Sequence, residues 1–592
     1  MKSTFLKIVA IFFLAIIAYS CANVAAPTGG PKDVAPPIII KEIPEKGAVN
    51  FDKNKIRVYF NEFVKLKDLN SQFISSPPLN KPPKAVLKGK SVIFSFEDTL
   101  LENTTYNLNF GNAIVDVNES NAYVNYYFAF STGDYIDSLQ VSGILVNAND
   151  LKPVKDVLVL LYDNKIFYDS IMYFDLPSYI GKTDKFGSFN ISYMRSGKYK
   201  IFALKDLNKN RIFDLPNENI AFIDSFIIPE VRAELQVDTV KLDTLGNDTI
   251  VTKKIIHYTP DSVKLFLFEE ENHNQYLISS SRSIREKFIF IFNEKLDNKF
   301  KITGINVDLS NCIYTEPSVT GDTLNVWVTD STIYSNDTIK IKFDYLATDT
   351  LGKMSMINDT IKLVYKKPKV FKKKKTKKNV KSNTENPKIN VYFNVKNGGK
   401  LGLNNQLSFT SNIPVNNVDE SKIHLFVNEK DKFIPIKFTL RQDSIIKRKQ
   451  YVNFNIEEEK KYKLLIDTNT FDNSYNLLND TIIKTFSAQS LAYYGKILLN
   501  ITNINQSVII QLLSVKDEVL REFYINSEQK ITIDYLPANT YKLKLIYDKN
   551  NNKKWDTGKY LEGKQPEKIK FYKETIKVRA NWDVELNWNI KE

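Results

Sequence analysis

The sequence predicts an all-β chain built from tandem β-sandwich modules, and three observations predict it. Apolar and polar residues alternate over short runs rich in β-branched and aromatic side chains, as in Ile56-Arg57-Val58-Tyr59-Phe60 and Thr105-Tyr106-Asn107-Leu108-Asn109-Phe110. Turn residues bracket these runs at intervals that suit a sandwich, and helical periodicity is scarce. The length of 592 residues exceeds what one core can serve, so about 100 to 150 residues per domain implies four to six modules.

The first element is a leader. Lys2 and Lys7 precede an apolar run from Ile8 to Ala18, which is too short to span a bilayer comfortably and has the layout of a secretory signal peptide over 1–20. It ends at Ala18-Tyr19-Ser20-Cys21, which reads as a lipobox: cleavage before Cys21 would leave that cysteine as a lipid-bearing N-terminus. Ala18 and Tyr19 depart from the commonest lipobox residues, and the alternative is plain secretion with a free Cys21. Residues 21–37 are small and rich in Pro and Gly, a composition that forms a flexible tether.

The first module, 38–135, contains the strands Ile56–Phe60, Ser91–Phe96, Thr105–Phe110 and Tyr126–Phe130, and closes on Phe130-Ser131-Thr132-Gly133. Its stretch Ile56 to Val64, preceded by Pro44-Glu45-Lys46-Gly47-Ala48, resembles the bacterial Ig-like domain of the SbsA type found in lipoproteins of Bacteroidota. A related signature at Phe288 to Glu294 and a degenerate one at Gln406 to Pro414 extend the resemblance to modules at 255–365 and 389–490. The polar lead-in from Val237 to Lys254 leaves the start of the former open.

A second repeat type alternates with the first. Tyr199 to Asp206 matches Tyr541 to Asp548 at a constant offset that continues through Asn208/Asn550, Asn210/Asn552, Phe213/Trp555 and Asp214/Asp556. Both stretches belong to modules that open on a glycine followed by a strand, Gly143 and Gly495. The modules 138–232 and 491–592 resemble prealbumin-like, or carboxypeptidase regulatory-like, β-sandwiches. In the last one, Trp582, Val584, Leu586 and Trp588 alternate and are expected on one buried face.

Charge and cysteine usage narrow the functions. Ten lysines and no acids lie between Lys366 and Lys381; without them and the two leader lysines, the net charge of +14 falls to about +2. Residues 366–388 therefore read as a self-repelling linker. Lys372, Lys373, Lys374, Lys375, Lys377 and Lys378 are the candidate contacts to an anionic surface such as lipid headgroups, and export argues against nucleic acid. With Cys21 lipidated, Cys312 has no disulfide partner; its strand-like setting, Ile305 to Tyr314, predicts a buried structural thiol.

Only one pattern offers ligand chemistry. Asp206, Asn208, Asn210 and Asp214, and likewise Asp548, Asn550, Asn552 and Asp556, place side-chain oxygens at loop positions that could converge on a weakly held Ca2+. Arg211 and Lys553 stand where a turn glycine is expected, and Asn217 and Lys559 where a bidentate Glu would sit, so an Asx-rich turn is the competing reading. No cofactor is required. The three histidines, His257, His273 and His424, lack metal-ligand spacing, and no phosphate loop, zinc-ligand pair or nucleophile elbow occurs, so no catalytic residue is expected and the chain reads as not an enzyme. The resemblance implies a lipid-anchored, outer-membrane-associated structural or binding protein of the cell envelope. Two alternatives are a subunit of an envelope secretion or assembly complex and a glycan-binding or carbohydrate-active surface protein, so the expected partners are the membrane, an envelope protein or a surface glycan.

Overall fold

The structure, a computed structural model, describes residues 32–241, 248–349, 352–366 and 387–591. Cys21 and the lysines from 367 to 381 lie outside them. The described chain is nearly all strand, and none of its helices is long and apolar enough to cross a membrane. It divides into two compact units: the residues up to Glu270 together with Gly558–Pro566, and the remainder from Glu271.

In the first unit, the first module pairs Ile39–Ile43, Lys55–Phe60, Ser91–Ser95 and Lys84–Leu87 in one sheet and Ile74–Ser76, Thr105–Gly111 and Tyr126–Ser131 in another. Strand alternation sends Phe60, Phe94, Phe110, Phe128 and Phe130 into one core, where Phe94 and Phe110 meet at 4.3 Å between ring centroids. In the same strands Tyr126 and Phe128 are buried while Tyr127 faces outward.

The second module reaches further than the predicted 138–232. Val263–Glu269 runs parallel to Leu139–Asn147 and antiparallel to Asn219–Phe222, joining a seven-stranded array that also contains Leu158–Asp163, Tyr179–Lys182, Ser188–Met194 and Tyr199–Lys205. Residues expected to open the next module at 255 therefore complete this one. The physical reason lies in Gly143: a Cβ there would stand 2.0 Å from the Val263 carbonyl oxygen, so only glycine admits this parallel neighbour. The polar lead-in before it forms a two-stranded ribbon, Glu230–Lys241 paired with Asp248–Thr259. Gly558–Pro566 belongs to this unit, with Tyr560 packed against Tyr173, Phe202 and Phe222.

In the second unit, the third module sets Leu277–Ile284, Lys287–Phe292, Thr323–Val328 and Ile313–Pro317 against Phe300–Gly304, Thr338–Thr348 and Met354–Val364. The fourth repeats the two-sheet plan from Val391 to Ala488 around Phe409, Tyr462, Leu464 and Phe486. The fifth repeats the second module's closure: Asp583–Asn589 runs parallel to Tyr494–Thr502. Two side-chain expectations change. Cys312 is only half-buried, because the chain from Ile305 to Asn311 is turn and loop, and strand begins at Ile313. Trp582 is 60% exposed because it precedes the last strand, which leaves Trp588 as the buried indole and Val584 and Leu586 half-covered.

Candidate functional site

The two Asp/Asn loops follow equivalent strands, Tyr199–Lys205 and Asn539–Tyr547, and fold alike. In the second module the Asp206 carboxylate accepts backbone N–H groups from Lys209 at 2.6 Å, Asn210 at 3.2 Å and Arg211 at 2.8 Å. Asp548 accepts from Asn552 at 3.1 Å and Lys553 at 2.9 Å. Arg211 and Lys553 take φ of 65° and 64°, the left-handed conformation that a turn glycine would supply. The departure from glycine therefore costs strain without changing the turn.

The asparagines close each loop. Asn208 and Asn210 donate through Nδ2 to Asp214 at 3.0 and 2.8 Å, while their own oxygens accept the N–H groups of Asn210 and Ile212. Asn550 and Asn552 do the same for Asp556, Asn552 and Lys554. Each amide is thus oriented at both ends, and the first aspartate accepts three backbone bonds in one loop and two in the other. A hard cation would have to compete with these bonds. Among the described residues no group of three His, Cys, Asp or Glu is disposed to hold a metal ion.

The sequence pattern missed a third carboxylate. Glu218 is fully buried and accepts from the N–H groups of Leu207 at 2.9 Å, Asp214 at 3.2 Å and Leu215 at 3.3 Å. Glu567 does the same for Lys549 at 2.8 Å and Asp556 at 3.1 Å. Burial pushes the Glu567 carboxyl above its usual range, against the pull of those two N–H donors. The match was concealed by spacing: Glu218 follows Asp214 by four residues and Glu567 follows Asp556 by eleven, the difference being the segment that carries Tyr560. Phe213 is buried behind its loop, and Trp555 donates its indole N–H to the Glu567 carbonyl at 3.0 Å.

The other chemistry-bearing residues stay apart. His257, His273 and His424 each face a single carboxylate, Glu234, Glu271 and Asp467. In the second unit Glu316, buried in its strand, receives the Arg448 guanidinium at 3.0 Å, a structural pair.

Modules of packed, largely antiparallel β-sheets, repeated along one chain, define a tandem β-sandwich protein of the Ig-like class. Residues 33–132 match the model of the bacterial Ig-like domain. Solved structures similar to the chain include the major pilin subunit BcpA of Bacillus cereus, at 10% identity over 77% of this chain and 99% of that one, with a TM-score of 0.15. The surface layer protein SbsC, domains 1–6, is 10% identical over 92% of this chain and 67% of that one, with a TM-score of 0.13. Escherichia coli alpha-2-macroglobulin, spanning MG0-NIE-MG1, is 11% identical over 47% and 95%, with a TM-score of 0.18. Similarity at this level does not bear on what the chain does. No curated protein matches it.

Proposed function

We propose that the chain is a non-catalytic structural or binding component of the cell envelope, held at the outer membrane by lipid on Cys21 and belonging to a lipoprotein of Bacteroidota type. What supports this reading is the order of parts: an apolar run ending at Ala18-Tyr19-Ser20-Cys21 that reads as a lipobox, a Pro/Gly-rich stretch, and then a succession of β-sandwich modules. Such modules supply rigid reach and side-chain surfaces without needing chemistry of their own. Mass spectrometry of the native N-terminus tests the anchor. A diacylated or triacylated Cys21 in the outer-membrane fraction, with Cys21→Ser shifting the protein to the soluble fraction, is the expected result; an unmodified thiol on protein released to the medium overturns it.

A further inference from the structure

Within the first unit, the first and second modules meet along a cleft of about 680 Å³. A neighbouring cleft of about 520 Å³ shares Asn109, Asn125, Lys182 and Asp184 with it, so the two form one groove long enough for a chain-like ligand. One wall is the outward face of strand Thr105–Gly111, where Asn107 and Asn109 stand two residues apart and Tyr127 lies opposite Asn109 on the next strand. The other wall is strand Ser188–Met194 with Asn190 and Tyr193, and Tyr258 from the ribbon completes the lining.

The chemistry of the groove is selective. In the larger cleft Lys182 pairs with Asp156 at 3.0 Å, Asp137 faces Arg195 at 3.8 Å, and Asp184 accepts the N–H groups of Phe186 and Ser188, while Lys155 and Lys185 line the smaller one. The rest of the larger cleft's polar lining is mostly amide, phenol and hydroxyl. Asn107 Oδ1 is buried beside the cleft and has no hydrogen-bond partner among the described residues. The rings of Tyr127 and Tyr193 stand 6.3 Å apart at 47°, with Lys46 seated over one face of Tyr127.

Tyr193 is placed there by a distortion. Leu139 pairs with Met194 and Gln140 with Ser192, so Tyr193 is the extra residue of a β-bulge, and its φ is 63°. A bulky aromatic residue in the left-handed region is a true outlier, and a bulge re-aims the side chain it displaces. The fifth module places Tyr535, φ 55°, at the matching register shift beside Gly495, so the bulged tyrosine belongs to this module type, and in the second module its ring lines the cleft.

We propose that this groove binds a neutral oligosaccharide chain, with sugar rings against Tyr193 and Tyr127 and sugar hydroxyls bonded to Asn107, Asn109 and Asn190. Hydroxyls bond amide and phenol groups of the kind that line the cleft, and aromatic faces receive the C–H surfaces of sugar rings. This goes beyond the envelope role and does not depend on the anchor at Cys21.

Isothermal titration of the full chain with cellohexaose, maltohexaose, chitohexaose, mannohexaose and xylohexaose, and with a heparin hexasaccharide and an oligogalacturonate as charged probes, tests it. At least one neutral probe binds at millimolar or lower concentration, more tightly than either charged one. Tyr193→Gly, which suits the positive φ and removes the ring, weakens that binding by about tenfold or more, and so does Asn107→Leu. Tyr127→Ala, at an exposed position, gives the same reading if Asn107→Leu disturbs folding. Absence of binding to every neutral probe, tighter binding of a charged one, or binding unchanged in Tyr193→Gly and Tyr127→Ala overturns the proposal.

Discussion

The joint between the first and second modules and the joint between the third and fourth solve one problem in opposite ways. In the second unit the joint is closed by packing. Trp327 is 2% exposed and packs into the core of the fourth module beside Ile389 and Leu407, and Arg448 reaches Glu316 while donating to the Ser411 carbonyl at 2.7 Å. In the first unit the joint is held by isolated polar contacts, the Ile180 N–H to Ser76 Oγ at 3.0 Å and Arg211 to the Leu79 carbonyl at 2.8 Å, and the groove stays open beside them. A packed joint merges parts of two cores. A polar joint leaves amides and phenols available for something else.

The comparison is broken most forcefully at Arg448. Arg448→Ala leaves Glu316 buried without its partner, and chemical denaturation of the second unit should show a loss of about 3–5 kcal/mol. Arg448→Met combined with Glu316→Leu should recover most of it, since the pair itself contributes little beyond its own desolvation. A loss under about 1 kcal/mol for Arg448→Ala would mean that Glu316 is not shut away from solvent in the joint.

Next comes the carboxylate beneath the Asp/Asn loop. Glu218→Ala strands three backbone N–H groups and should cost the first unit about 3 kcal/mol, at about 1 kcal/mol or more per unpaired donor; Glu567→Ala, with two such donors, should cost less. Equal losses would show that the two loops are not held in the same way.

These residues also show what the sequence disclosed. Alternation at Ile56–Phe60 and Tyr126–Phe130 gave strands and inward faces, because a half-buried strand must alternate. The constant offset between Asp206 and Asp548 gave the repeated loop. Hidden were the features that depend on distant partners. The parallel pairing of Val263–Glu269 with Leu139–Asn147 crosses a long ribbon, so no local pattern assigns that strand to the earlier module. Glu218 and Glu567 differ in spacing, and the groove draws its walls from two modules. Its one local signal was Asn107 and Asn109, polar residues at alternate positions of an otherwise buried strand.

A smaller effect concerns the first aspartate of each loop. Asp548→Ala removes an acceptor from two backbone N–H groups and should lower the stability of the second unit by about 1–2 kcal/mol, equally in EDTA and without it, if the loop's own hydrogen bonds hold it. A melting temperature that rises with millimolar Ca2+ in the native chain and not in Asp548→Ala would identify the loop as a cation site instead.

The mildest expectation is silent at neutral pH. Burial, with Tyr127 and Tyr258 nearby, pushes the Tyr193 phenol up to about 12, and burial beside Glu270 does the same for Tyr173. Below the ordinary tyrosine value near 10 both forms of the chain keep these protons, and the shift has no effect. Between about 10 and 12 the unfolded chain loses them while the folded one retains them, so the stability of the first unit falls as pH rises through that window. Tyr193→Phe should flatten part of that decline by removing one titrating group from the wall of the groove, while the second unit's response is unchanged. Hydrogen-exchange mass spectrometry of strand Ser188–Met194 across the same pH range reads the effect, and protection in that strand that is indifferent to pH in the native chain would place the Tyr193 hydroxyl in water rather than among its neighbours.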